Sequence, residues 1–327
     1  MNWLCGRTDK HAVRAAQFAS ADGRAILEMG AAVTRIAFVL SVASLLQLAG
    51  QNTRAVTMVA TVETQKGAAA APLHKEDVMI YEDNRRVPAV DWAPVTQRDL
   101  WIVLDDGLDQ SIGSQFGEIR DFIGAAPAGT RVGIGYMRNG AVLTAAALST
   151  DRAAVAKALR LPMGMPGISA SPYLSLVDLI HKWSEGAPAR EVLLITSGVD
   201  PDYGGGPENP YLQQAIDAAQ RAGVIVYSVY YGSAGHLGHS YWQINWGQNY
   251  LSQLSDETGG EFYWQGNLNP VSLAPYLSSL TEHLKHQFLL TFAPTGSDSA
   301  GFRRVRLTTE APRTSLVAPS RVYVPAR

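Results

Sequence analysis

Residues Leu100–Ser111 read LWIVLDDGLDQS. The apolar run Trp101–Leu104 has the pattern of a strand buried on both faces, as in a parallel sheet covered by helices. It runs straight into three carboxylates, Asp105, Asp106 and Asp109. In an open α/β sheet, ligands bind just beyond the carboxyl ends of the strands, so acidic residues placed there mark a candidate site. The plainer alternative is an acidic cluster solvated at the sheet end, or one that caps the following helix.

Strand and helix patterns alternate on either side of this stretch, over residues 98–286. Strands are expected at Leu100–Leu104, Arg131–Tyr136, Val142–Leu148, Glu191–Thr196, Val224–Tyr230 and Glu261–Trp264. Helices are expected at Gln115–Ala125, Arg152–Leu159, Tyr173–Trp183, Tyr211–Ala222, Gln248–Thr258 and Val271–Lys285. Thr150-Asp151 reads as a helix start and Gly223 as a helix end. Such alternation argues a largely parallel sheet covered on both faces. The second and third strands are close enough to form a hairpin, which makes one of them antiparallel.

The chain ends read differently. Thr53–Val95 alternates apolar and polar residues, with turn residues at Lys66–Gly67 and Asp83–Asn84, as antiparallel strands do. Gln287–Pro325 returns to strands in QFLLTFAPT, FRRVRLTTE and SLVAPSRVYVP. The fold class expected is therefore α/β: a Rossmann-like, doubly wound, mostly parallel sheet over 98–286. Segments 53–96 and 287–327 are expected to pair as a small flanking antiparallel β unit.

The totals narrow the function. In 327 residues, 17% are charged and the net charge is −2, which gives no electrostatic case for nucleic acid. The single cysteine, Cys5, excludes an intramolecular disulfide and a cysteine-based metal cluster. Ile36–Ala49 is an apolar run preceded by Arg35, the size of a signal-peptide core and short for a spanning helix. Met29 makes a natural start, leaving 1–28 as a mis-called upstream extension and 29–50 as a signal peptide or a retained N-terminal anchor. Export to the periplasm, the outer surface or the medium is expected, with membrane contact only through that anchor.

From about Asp99 onward, these residues resemble a von Willebrand factor A-type domain, and more narrowly the bacterial exported proteins called VWFA-related. The likeness extends to Asp77–Asn84 (DVMIYEDN), to Phe288, Leu290, Phe292 and Pro294, and to Phe302–Arg306. The family's metal-ion-dependent adhesion site opens with Asp-x-Ser-x-Ser and is completed by a Thr from a second loop and an Asp after the fourth strand. Asp105 matches the leading Asp, whereas Gly107 stands for the first Ser and Asp109 for the second. Ser171 falls at the Thr position, and Ser197 replaces the Asp before Gly198. The resemblance thus implies a degenerate site of Asp105, Asp109, Ser171 and Ser197. Mg²⁺ demands near-octahedral geometry, and the altered set suits it poorly. A weak Ca²⁺ or Mg²⁺ site, the Ca²⁺ version drawing on Asp105, Asp109 and Asp200, is the most expected by way of cofactor.

Other constellations carry less. His236 with His239, and His283 with His286, are spaced i, i+3, but a zinc site wants three or four ligands. Gly232–Gly247 is long for a strand–helix connection and holds Tyr241, Trp242 and Trp246, aromatic residues suited to partner contact if exposed and to packing against the β unit if not. No dinucleotide, phosphate-loop or nucleophile-elbow motif occurs. A non-enzymatic recognition domain for a protein or envelope component is expected. The alternatives are a structural or assembly component with an inert metal site, or an exported hydrolase.

Overall fold

The computed structural model describes residues 55–65, 72–165, 171–183, 186–203, 205–232, 240–295 and 299–326. The expected signal segment, Cys5, the Lys66–Gly67 turn and the His236/His239 pair lie outside these residues. Four short strands come first: β1 (Val56–Thr64), β2 (Met79–Glu82), β3 (Arg85–Val87) and β4 (Ala89–Pro94). Asp83 and Asn84 join β2 to β3 with φ of 44° and 67°. A two-residue hairpin turn needs that left-handed pair, and Asp and Asn tolerate it.

The central sheet is built from β5 (Arg98–Asp105), β6 (Thr130–Arg138), β7 (Ala141–Ser149), β8 (Ala189–Thr196), β9 (Val224–Tyr230) and β10 (Phe262–Tyr263). Its order is β10-β9-β8-β5-β6-β7. Every pairing is parallel except the β6–β7 hairpin at one edge. The helices between are α1 (Phe116–Ala125), α2 (Arg152–Lys157), α3 (Pro172–Lys182), α4 (Pro210–Ala222), α5 (Tyr241–Thr258) and α6 (Ala274–Lys285). Asp151 accepts the Ala154 amide at the start of α2, and Gly223 ends α4 in the left-handed conformation.

All eight residues of β5 are buried, because helices cover both faces of the sheet. Leu100, Ile102 and Leu104 pack with Ile119, Phe122, Leu277 and Leu280 of α1 and α6. Trp101 and Val103 pack on the opposite side with Leu176, Leu212, Ile216 and Leu254 of α3, α4 and α5. Successive strand residues point to opposite faces, so one unbroken apolar run feeds two cores. This is the mostly parallel, doubly covered arrangement with one antiparallel edge that the A-type resemblance implies.

The flanking unit closes with β11 (Gln287–Phe292), β12 (Gly301–Thr308), β13 (Thr314–Val317) and β14 (Arg321–Val324). It consists of two antiparallel sheets, β13-β1-β11-β4 and β14-β12-β2-β3. They share one apolar cluster that includes Met58, Ala60, Ile80, Leu290, Phe292, Val305 and Leu307. Val59, between Met58 and Ala60, belongs instead to the α1/α6 core. β1 is therefore buried on both faces, one against the sandwich and one against the α/β sheet.

A buried polar network ties the foot of the sheet to this unit. Arg98 and Glu191, on neighbouring strands, form a 2.9 Å ion pair with both side chains inaccessible to solvent. Arg98 also donates to the Leu284 carbonyl at 2.6 Å and to Gln287 at 2.7 Å, and Gln287 donates to the Tyr227 hydroxyl.

Candidate functional site

β5 and β8 run parallel and end side by side, which brings the Asp105 carboxylate against the loop that follows β8. Asp105 is 4% exposed. Its Oδ1 accepts the Gly107 amide at 2.7 Å and its Oδ2 accepts the Thr196 hydroxyl at 2.9 Å. Burial, outweighing those hydrogen bonds, pushes its carboxyl up to about 6. The hydroxyl that meets Asp105 thus belongs to Thr196; Ser197 is buried too, but its Oγ accepts the Val199 amide at 3.3 Å.

Ser171 opens α3 as its N-cap, with Pro172 in the first helical position, where a fixed φ and a missing N–H are tolerated. Its Oγ donates to Asp200 Oδ1 at 2.9 Å, and the Asp202 amide donates to the same oxygen at 3.1 Å. Asp200 is 4% exposed, and burial raises its pKa against the pull of the Ser171 hydrogen bond. The site residues therefore sort into two separate stations, Asp105 with Thr196 and Asp200 with Ser171.

The other two acids of the opening stretch part company. Asp109 is exposed and caps the 3₁₀ turn Gln110–Gln115 by accepting the Ser111 amide at 2.8 Å; the Ser111 side chain, and then this amide, lower its pKa. Asp106 is fully buried and holds the loop that precedes α3. It accepts from Arg160 at 2.6 Å and from the Met163 amide at 2.9 Å, and Arg138 lies 3.8 Å away. The Arg160 guanidinium also lies over the Tyr136 ring, 3.8 Å from its centroid.

These commitments decide what the site can hold. Both Asp105 oxygens and the Ser171 hydroxyl are engaged within the protein, and Asp109 serves a turn. Among the described residues, no three His, Cys, Asp or Glu side chains gather as metal ligands. Hydrogen-bonded carboxylate and hydroxyl oxygens keep lone pairs for a metal, but Asp105 and Ser171 by themselves give a near-octahedral Mg²⁺ ion too few oxygens.

The connection after β9 differs from expectation. Tyr241, Trp242 and Trp246 lie on a helix, since α5 begins at Tyr241 rather than Gln248. Ser240 accepts the Gln243 amide while the Gln243 side chain accepts the Ser240 amide. This reciprocal capping box fixes the helix start, and Ser-x-x-Gln at Ser240–Gln243 was its sequence signal. Tyr241 and Trp242 are exposed, whereas Trp246 is half-buried and packs against the α3/α4 core. His283 meets Glu261 at 3.2 Å and Glu63 at 3.7 Å through different ring nitrogens, so it bridges two carboxylates rather than pairing with His286.

The buried Asp105 sets a pH dependence. Its folded pKa lies above its ordinary 3.8, so the native state holds the proton more tightly. Its contribution favours folding at low pH and is lost as pH rises from about 4 to about 6, amounting to roughly 3 kcal/mol. Asp105→Asn is expected to remove that slope. Urea unfolding of both proteins from pH 4 to 8 should show the variant gaining relative stability toward neutral pH; parallel profiles would contradict the assignment.

No protein-family model and no curated protein matches the chain. Solved structures that resemble it include an aerotolerance-related membrane protein from Bacteroides fragilis (11% identity, 57% of this chain and 98% of that one, TM-score 0.40). Another is proximal thread matrix protein 1 from the mussel byssus (18% identity, TM-score 0.41), where the match spans 59% of this chain and 49% of that one. A third is a von Willebrand factor type A protein from Catenulispora acidiphila (12% identity, 85% of this chain and 75% of that one, TM-score 0.40). Likenesses this distant say nothing of what this chain binds.

Proposed function

We propose that this chain is an exported, non-enzymatic recognition domain that holds a protein or other envelope component against the loops at the carboxyl end of its central sheet. One observation carries this reading. Ten large hydrophobic side chains are exposed among the described residues, and eight of them lie on loops or a helix start beyond the carboxyl ends of the strands. Leu161, Met163 and Met165 come from the loop before α3, Trp264, Leu268 and Val271 from the loop after β10, and Tyr241 and Trp242 from the first turn of α5. Leu268 is 75% exposed and Val271 96%.

The first two groups are joined through the 3₁₀ turn. Gln110 donates to the Pro162 carbonyl and Gln115 to the Pro270 carbonyl, and Leu161 lies against Gly113. Exposed apolar side chains gathered at one end of a sheet are costly to leave in water and favour an interaction site. Exposed Tyr241 and Trp242 favour recognition over a purely structural role, since neither packs into the β unit. Against an enzyme, the cavity that Asp200 lines is about 10 Å³, too small for a substrate. Among the described residues no helix is long and apolar enough to cross a membrane.

The test is differential capture from an envelope extract of the source organism. The full chain is compared with a variant carrying Met163→Ser, Trp242→Ser, Leu268→Ser and Val271→Ser, and with Val90→Ser at the other end. The quadruple variant is expected to lose at least about 90% of the captured partner, since a few central apolar residues dominate binding energy. Val90→Ser should retain it, and chelator should leave capture unchanged. Equal capture by the quadruple variant and the unaltered protein would sink the proposal.

A further inference from the structure

The loop after β8 and the face of α5 that carries Gln243, Trp246 and Tyr250 enclose a small cavity. Asp200, Tyr203 and Gly205 line it from the loop, and Gln243, Trp246 and Tyr250 from the helix. Asp200 and Tyr250 are buried, while Tyr203, Gln243 and Trp246 are half-buried and make its solvent-facing side. We propose that this cavity takes the ammonium group of a lysine side chain presented by the partner. The inference rests on the recognition reading and names the chemistry that the partner must carry.

The polar end of the cavity is an incompletely satisfied carboxylate. Asp200 Oδ1 accepts from Ser171 and Asp202, but Oδ2 is buried with no hydrogen-bond partner. The Asn209 side chain approaches this carboxyl as a hydrogen-bond donor, but the contact is too long or bent to satisfy either Asn209 Nδ2 or Asp200 Oδ2. Among the described residues, the charge that acts on Asp200 is that of Asp202, of like sign. A buried charged oxygen without a donor is costly, and a donor that also carries positive charge relieves both deficits.

The walls suit such a group. Faces of Tyr and Trp attract cations through the ring quadrupole. The Tyr203 hydroxyl donates to the Glu208 carbonyl at 2.5 Å and the Tyr250 hydroxyl donates to the Gly206 carbonyl, so both hydroxyls are committed and the rings are fixed as walls. Gly205 lets the Trp246 ring close in, since a Cβ there would sit 2.6 Å from it.

Size selects among cations. The cavity is about 10 Å³, close to the smallest space that holds one water molecule. A primary ammonium head is of that size; a trimethylammonium or a guanidinium is larger. Lysine carries its ammonium on a flexible four-carbon stem, which lets the partner backbone stay at the rim while the charge reaches Asp200.

The test uses n-butylammonium as a mimic of the lysine side chain, on the full chain labelled with ¹⁵N at the tryptophan indoles. Trp246 is assigned by comparison with Trp246→Phe. A saturable shift of the Trp246 resonance is expected at millimolar probe, with tetramethylammonium and guanidinium producing none. Asp200→Asn should weaken binding at least about tenfold, or roughly 1.4 kcal/mol. Should that variant fail to fold, Tyr203→Leu serves, with the same weakening expected. No saturable shift in the unaltered protein, an equal response in either folded variant, or an equal response to tetramethylammonium would overturn the inference. If capture succeeds and loses its partner in the quadruple rim variant while n-butylammonium fails, recognition stands and only the lysine pocket falls.

Discussion

Arg98→Ala is expected to destabilise the protein by about 3–5 kcal/mol, the usual result of removing one member of a buried ion pair. The loss exceeds that of an ordinary surface contact because Arg98 has four roles in one place. It neutralises Glu191 at 2.9 Å, donates to the Leu284 carbonyl, donates to Gln287, and fills space at the foot of β5. Burial already raises the Glu191 pKa with Arg98 present as the chief opposing influence. Without it, Glu191 should take up a proton, and stability should fall further as pH rises and forces the carboxylate to ionise. Equilibrium urea unfolding at pH 5 and pH 8 measures both effects. The double replacement Arg98→Met with Glu191→Leu should recover most of the loss, since apolar residues of similar volume replace buried pairs well. A loss under about 1 kcal/mol for Arg98→Ala would mean that water reaches the pair.

Gly198→Ala is the second large effect, expected at roughly 3 kcal/mol or more. Gly198 has φ of +71°, and a Cβ there would lie 2.4 Å from the Gly247 carbonyl oxygen and 2.7 Å from the Leu251 side chain. The left-handed conformation alone costs about 1–2 kcal/mol for a residue with a Cβ, and overpacking adds about 1–3. The obstructing atom is backbone of α5 and cannot rotate away. Gly247 returns the constraint, its own Cβ position lying 2.8 Å from the Ser197 carbonyl. The pair sets the loop carrying Ser197 and Asp200 against α5, so the variant should also weaken partner capture. Gly117→Ala in α1 is the contrast: nothing lies within 4 Å of its Cβ position, and a gain of about 0.5–1 kcal/mol is expected. Denaturant midpoints of the two variants should move in opposite directions.

These contacts also show where sequence reasoning reached and where it stopped. The Leu100–Leu104 part of β5 was legible because five consecutive apolar residues fit a strand buried on both faces, and Asp83-Asn84 announced its hairpin through residues that tolerate positive φ. The start of α5 was missed because Gly-rich, aromatic sequence around Ser240 masks the helical period, although the capping box was present. Which residue of Thr196-Ser197-Gly198 faces Asp105 depends on the alternation of β8 and its register with β5, and neither is visible in a linear string. Asp106 looked equivalent to its neighbours; its anchor, Arg160, stands 54 positions away. Asp200 was noted only as an extra oxygen for Ca²⁺, and its place between Ser171 and an aromatic wall required the fold. The flanking segments were recognisable as strands, but nothing in their alternation told one sheet from two.

The twofold burial of β1 has a kinetic side. Val56 pairs with Phe292 and Thr64 with Thr314, so β1 has both neighbours only once synthesis has passed Val317. Pairing across such separations is slow, because loop closure must precede any gain from contact. During that wait, a β-branched and apolar segment stands with both edges open, the condition that invites misassembly. It also orders assembly. The buried residues of the two α/β cores lie between Leu100 and Leu284 apart from Val59, so those cores can close first, while the sandwich core waits for the C-terminal strands.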